Sequence, residues 1–120
     1  MGLPKANRLR HRNQFKAVYQ KGERCSGKYL VLLLLRDISS DDVSPPQVGI
    51  SVSLKVSKKA VVRNRIKRQI RAIIQGLLPQ LPQGLKMVVI VKPQARMCQY
   101  EDFLRELREL FIKLEVLYGD

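Results

Sequence analysis

The apolar positions change period several times along the chain, and each change predicts an element. Phe15, Val18 and Tyr19 fall at i, i+3 and i+4, one face of a short helix over residues 13–19 that Gly22 stops. Residues 29–35 form a continuous apolar run of strand length. The stretch 37–42, rich in Asp and Ser, and then Pro45 and Pro46 follow it, so the run reads as a buried strand ending in a solvated loop. Val48, Ile50 and Val52 alternate with Gly49, Ser51 and Ser53, the period of a half-buried strand, and residues 25–28 are a candidate short strand before both.

The longest periodic segment comes next. Ser57 is placed to cap a helix running through Leu78, with Pro79, Pro82 and Gly84 breaking it afterwards. At about 100° per residue, Val62, Ile66, Ile70, Ile73, Ile74 and Leu77 gather on an arc of roughly 120°. Asn64, Arg65, Lys67, Arg68 and Arg71 fall opposite, with Arg63 at the boundary. Residues 86–92 read as a strand. After Pro93, Phe103, Leu107, Leu110, Leu114 and Leu117 recur at helical spacing over 100–117, with Leu104 and Phe111 alongside, and Glu101 and Asp102 suit the positive end of that helix dipole. The order is a helix, two or three strands, then helix, strand and helix. Nothing repeats and no linker interrupts it, so residues 1–120 are expected to be a single domain of mixed α and β structure.

Charge changes this picture most. The 120 residues carry a net charge of +13 with 45% hydrophobic side chains, enough for a core and far too basic for a neutral partner. A polyanion whose counterions are released on contact is the natural partner, which makes nucleic acid the first expectation. Residues 1–100 hold 20 of the 23 basic side chains but only 4 of the 10 acidic ones, so the last helix stands apart from the basic surface. Cys25 and Cys98 lie far apart and His11 is the one histidine, which leaves no zinc or disulfide framework. No apolar signal core opens the chain, Ala6 stands where a myristoylation signal wants Ser or Thr, and no apolar run approaches membrane-spanning length. A soluble, cytoplasmic protein is expected.

Between Lys55 and Arg71 lie eight basic residues, Lys55, Lys58, Lys59, Arg63, Arg65, Lys67, Arg68 and Arg71, and no acid. Solvated helix faces usually mix signs, because i,i+4 ion pairs add a few tenths of a kcal/mol each. A helix that carries only like charges is suited to anions, and arginine adds forked contacts to phosphate and base edges.

Within that stretch, Arg63-Asn64-Arg65 in the context VVRNRIKRQIR resembles the basic helix of the protein subunit of bacterial ribonuclease P. NRLRHRNQFKAVYQKG, YLVL, VGISVS and VVIVKP resemble the same family in the same order, so the likeness spans most of the chain. It implies an αβββαβα two-layer sandwich with a mixed four-stranded sheet, related to a ribosomal-protein domain fold, and a left-handed βαβ crossover in place of the usual right-handed one. It implies that Lys58, Lys59, Arg63, Asn64, Arg65, Lys67, Arg68 and Arg71 bind the catalytic RNA subunit. It also implies a cleft for the 5′ leader of precursor tRNA that uses Arg12, Phe15, Lys16, Tyr19, Leu33 and Lys55. An aromatic face stacks on any base, at about 1–3 kcal/mol each, so Phe15 and Tyr19 suit leaders of varied sequence. Burial in the core is the competing reading, and a cleft-lining Phe15 satisfies both. Two departures stand out: the segment before Arg63 is one residue longer than in many relatives, and Leu33 replaces a common aromatic.

The polypeptide lacks a nuclease site of its own by sequence. A metal-independent ribonuclease needs a paired acid and base, and His11 is alone in a basic segment. A two-metal site needs clustered carboxylates, whereas residues 1–100 offer Glu23, Asp37, Asp41 and Asp42, three of them in one loop. The resemblance implies the resolution: the RNA subunit binds most of the Mg2+ and hydrolyses the phosphodiester, while the protein carries no catalytic residue, metal or cofactor. The expected partners are that RNA and precursor tRNA, with neither membrane nor DNA. A basic ribosomal protein of the same fold is the alternative, and it leaves the aromatic block unused. A helix-turn-helix DNA binder needs two helices joined by a short turn, and the arginine-rich helix lies between strands.

Overall fold

Four of the seven β2 residues that alternate along Leu30–Arg36 face one side of a sheet and three face the other, and nearly all are apolar. Such a strand must be covered on both faces. The computed structural model, which describes residues 3–36 and 44–117, shows how. Its elements are α1 (Arg12–Lys21), β1 (Glu23–Ser26), β2, β3 (Gln47–Ser51), α2 (Ala60–Leu77), β4 (Leu85–Val91) and α3 (Tyr100–Lys113). The sheet order is β1-β2-β4-β3, with β1 and β4 antiparallel to β2 and β3 parallel to β4. The mixed four-stranded sheet of the sequence reading is therefore present. Residues 37–42, expected as a solvated loop, lie outside the described residues.

Leu30, Leu32 and Leu34 join Met87, Val89 and Val91 on one face, where Ile66, Ile70, Ile73 and Ile74 of α2 and Phe103, Leu107 and Phe111 of α3 bury them. Val31, Leu33 and Val88 line the other face beneath Leu9 and Val18, with Phe15, Leu35 and Ile90 packed alongside. The two-layer description fits the main core, and α1 adds a partial layer on the reverse face.

Several boundaries differ from the sequence reading for identifiable reasons. Ser57 does not cap α2. Its Oγ accepts the N–H of Lys59 at 3.1 Å, a turn two residues long, so the helix begins at Ala60 and Lys59 occupies the capping position. The last helix stops at Lys113 instead of Leu117, because Glu115 takes a positive φ of 61° and reverses the chain. At the start, residues 3–10 form a strap along the outer edge of β3 that periodicity did not reveal. The N–H of Leu9 donates to the Val48 carbonyl at 3.0 Å, and Arg8 makes a single parallel bridge to Val48.

One acid holds the far side of the sheet. Glu106 of α3 is 8% exposed, and its carboxylate accepts the N–H groups of Lys28 and Tyr29 at 2.8 Å and of Leu30 at 2.6 Å. The turn between β1 and β2 is thereby fixed to α3, and Lys92 Nζ donates to the Gly27 carbonyl at 2.6 Å to hold its other side. A Cβ on Gly27 would stand 2.6 Å from the Glu106 carboxyl carbon, so the close approach requires glycine. Nearby, burial pushes the Cys98 thiol above its ordinary value, and Asp102 and Glu106 add to the effect, which keeps it a neutral core side chain.

Glu106→Gln replaces a charged acceptor of three bonds with an amide that turns donors toward donors, and an expected loss of about 2–4 kcal/mol is measurable by urea denaturation. Gly27→Ala is expected to cost a similar amount in the parent protein but much less in a Glu106→Ala background, where the clash is gone. Additive losses in that cycle would refute the clamp.

Candidate nucleic-acid interface

Helix α2 divides its surface as its sequence period requires. Ile66, Ile70, Ile73, Ile74 and Leu77 are buried against the sheet and α3, with Val62 packed beside them. Asn64 and Arg68 are exposed, whereas Arg63, Arg65, Lys67 and Arg71 are half-buried. Two of the arginines are also tethered. Arg63 Nη1 donates to the Ser57 carbonyl at 2.9 Å and Arg65 Nη2 to the Arg96 carbonyl at 3.2 Å. Among the described residues none of the eight cations between Lys55 and Arg71 has an acidic partner; the ion pairs present are Arg36 with Glu23 and Arg105 with Asp102. Lys55, Lys58 and Lys59 stand exposed in the turn ahead of the helix, which Val56 and Ser57 anchor by burial.

The second site forms where the reverse face is least covered. Phe15 of α1 lies directly over Gly49 of β3, so close that a Cβ there would sit 2.4 Å from the ring Cε1 and 2.5 Å from Cζ. The glycine lets the Cε1–Cζ edge of the ring approach the strand, and the ring forms one wall of a cleft of about 590 Å³, with Leu9, Ile50 and Arg71 among its other walls. Arg71 was grouped by sequence with the RNA-subunit face, and the structure brings it beside Phe15 because β3 is the edge strand and α2 flanks it. Tyr19, one turn beyond Phe15, is 50% exposed. Arg12 and Lys16 are exposed on α1, and Lys55 is exposed in the turn after β3. Leu33 faces the same side of the sheet but is 4% exposed, so it is floor beneath α1 and not a surface for stacking.

No three His, Cys, Asp or Glu side chains come together among the described residues. No described helix is long and apolar enough to cross a membrane. The strap cations Lys5, Arg8 and Arg10, which border the cleft, were not singled out by sequence. The alternation of Arg8, Leu9 and Arg10 was the available signal, since Leu9 is buried and its neighbours are exposed.

Comparison with known proteins places the chain and its fold in a family. The family model described as Ribonuclease P matches residues 3–115. The ribonuclease P protein component of Microcystis aeruginosa is 51% identical over 119 residues, covering 99% of both chains, and that of Rippkaea orientalis is 52% identical over 121 residues, covering 99% of this chain and 94% of the relative. Among solved structures, a Staphylococcus aureus RNase P protein mutant with defective mRNA degradation activity superposes with a TM-score of 0.84 at 25% identity, covering 94% of this chain and 92% of that one. The RNase P protein of Thermotoga maritima in complex with 1-(4-fluorophenyl)-2-thiourea gives 0.68 at 27% identity, covering 94% and 100%. With a family match along nearly its whole length and relatives half identical to it throughout, the chain belongs to the ribonuclease P protein family.

Proposed function

We propose that the outer face of α2 binds the catalytic RNA subunit of ribonuclease P, and that the cleft at Phe15 binds the 5′ leader of precursor tRNA. The chain is a ribonuclease P protein component, part of an endoribonuclease holoenzyme, and the comparisons favour this over a basic ribosomal protein. The observation that carries the division of roles is the row of cations on and before α2 that has no acidic partner among the described residues. Within that row Arg65 Nε, together with Gln69 Oε1 one turn on, is buried without a hydrogen-bond partner. Orphaned polar atoms are costly in a free protein, and an RNA that draws the two side chains outward relieves them.

In this reading the RNA subunit holds the Mg2+ and hydrolyses the phosphodiester, in the cytoplasm. The chain's own residues neutralise phosphates and hold the leader. Phe15 offers its ring to a base, and the cations around it hold the adjoining phosphates without demanding one sequence.

The tethers separate the roles of the arginines. Arg68→Ala is expected to lower the salt slope of binding to the RNA subunit by about one, with no change in unfolding midpoint. Arg63→Ala and Arg65→Ala should lower both, since each also releases a backbone carbonyl. An unchanged slope for Arg68→Ala, measured by filter binding across a salt series, refutes the assignment of this face.

Phe15→Ala is expected to weaken holoenzyme binding to precursor tRNA about tenfold while sparing mature tRNA, the loss of one stacked base. Gly49→Ala should reproduce that selectivity, because its methyl group displaces the ring. Equal losses for the two RNAs would instead mean damage to the core.

A further inference from the structure

The cleft at Phe15 does not end there. Past the strap it opens into a second hollow of about 480 Å³ that reaches His11, Gln14 and Gln47, and Lys5, Arg8 and Arg10 border both. Among the described residues no carboxylate lines either one, and the sole acid in the described part of residues 1–100 is Glu23, paired with Arg36. Uncompensated positive charge along a concave wall focuses the field toward an anion.

The strap that carries these cations is held in place. Leu3 and Leu9 are 3% and 6% exposed and anchor the strap at two points. Asn7 Nδ2 donates to the Pro46 carbonyl at 2.7 Å, and Arg8 Nε donates to the Leu3 carbonyl at 2.8 Å. Because Leu9 points inward, Arg8 and Arg10 point outward together, about 6–7 Å apart at the rise of an extended chain. Charges fixed before binding lose less conformational entropy than charges on a loose tail.

We propose that the strap is a backbone-binding rail for the part of the leader beyond the nucleotides held at Phe15. The inference rests on the leader reading of that cleft, with which the groove is continuous. Among the described residues lining the two hollows, Phe15 and the imidazole of His11 are the only aromatic groups, and Gln14 Oε1 accepts the backbone N–H of His11 at 3.3 Å, which fixes the start of α1 beside the groove. The rail therefore grips the sugar–phosphate chain by charge and leaves the bases unread.

The test uses holoenzyme assembled with a Lys5→Gln, Arg10→Gln double variant, leaving Arg8 to hold the strap. Dissociation constants are measured for precursor tRNAs with a leader just long enough to reach Phe15 and with that leader extended. The parent protein is expected to gain affinity on extension. The variant should lose about tenfold on the extended leader alone, with a salt slope lower by about 1.4 for two single-strand contacts. The charge-preserving pair Lys5→Arg, Arg10→Lys should retain the gain. Unchanged affinity for the extended leader overturns the proposal, as does an equal loss on the short leader. A loss of affinity for the RNA subunit alone overturns it too, by assigning the strap to that RNA. If the Phe15 reading itself is wrong, Phe15→Ala in the same series leaves short-leader affinity untouched, an outcome separate from any effect of the strap.

Discussion

The central strands β2 and β4 are apolar on both faces, and the rest of the molecule follows from the need to cover them. Exposed, each face would forfeit about 25 cal/mol per Å² of apolar surface, so neither can be left to water. One face receives two long amphipathic helices, α2 and α3, whose stripes of isoleucine, leucine and phenylalanine fill the main core. The other receives α1, ten residues long, and the strap. That cover is too short to reach across the sheet. What it leaves open, at the edge strand β3, is the cleft in which an aromatic ring and several cations meet.

The same asymmetry sets where charge can go. A helix buried along one face has its other face for solvent, and α2 fills it with cations, which among the described residues lack the acidic partners that usually stabilise such a surface. Self-repulsion of this kind is relieved when a polyanion binds, so part of the stability of α2 belongs to the complex and not to the free chain. The tethers of Arg63 to Ser57 and of Arg65 to Arg96 hold two of these side chains against segments on both sides of the helix. Arg71, at the far end of the basic stretch, turns toward the cleft. The two proposed RNA-binding regions are thus contiguous through β3, as the proposal that one protein holds two RNAs in one assembly requires.

Much of this was legible because period survives without tertiary information. The interior face of α2, from Ile66 to Leu77, and the strands followed from the apolar pattern, as did the shared face of Phe15, Val18 and Tyr19. What spacing omits is which neighbour an element meets. The angular position of Arg71 on its helix was correct, but its place in the cleft depends on β3 being the edge strand, and that follows from β4 inserting between β2 and β3. Leu33 was assigned to the right face, but its burial depends on α1 lying over it. The strap escaped notice because one parallel bridge and one buried leucine are too short a pattern to stand out from a basic segment. Ser57 failed as a cap because its hydroxyl had a nearer backbone partner, a competition that residue preferences alone do not decide.

Glu106 shows the deepest limit of the sequence and the logic of the acidic end of the chain. Helical spacing sets it at the edge of the apolar stripe, one turn from Phe103 and from Leu110, unlike Glu101 or Glu109, but its three partners lie 76 to 78 residues away and no spacing names them. It is nevertheless a buried carboxylate satisfied by three N–H groups, a geometry that only a fixed turn provides and that in turn fixes the turn. Arg105 pairs with Asp102 on the same helix, so part of the remaining charge of α3 is balanced locally. Among the described acids, Glu106 is locked into the fold and Asp102 is matched within α3, and the described part of residues 1–100 keeps only Glu23 to oppose its cations. A carboxylate beside Arg68 would gain a few tenths of a kcal/mol in the free protein and repel every phosphate brought to that face, so the absence of acids from the sequence of this stretch supports the proposed interface as much as its arginines do.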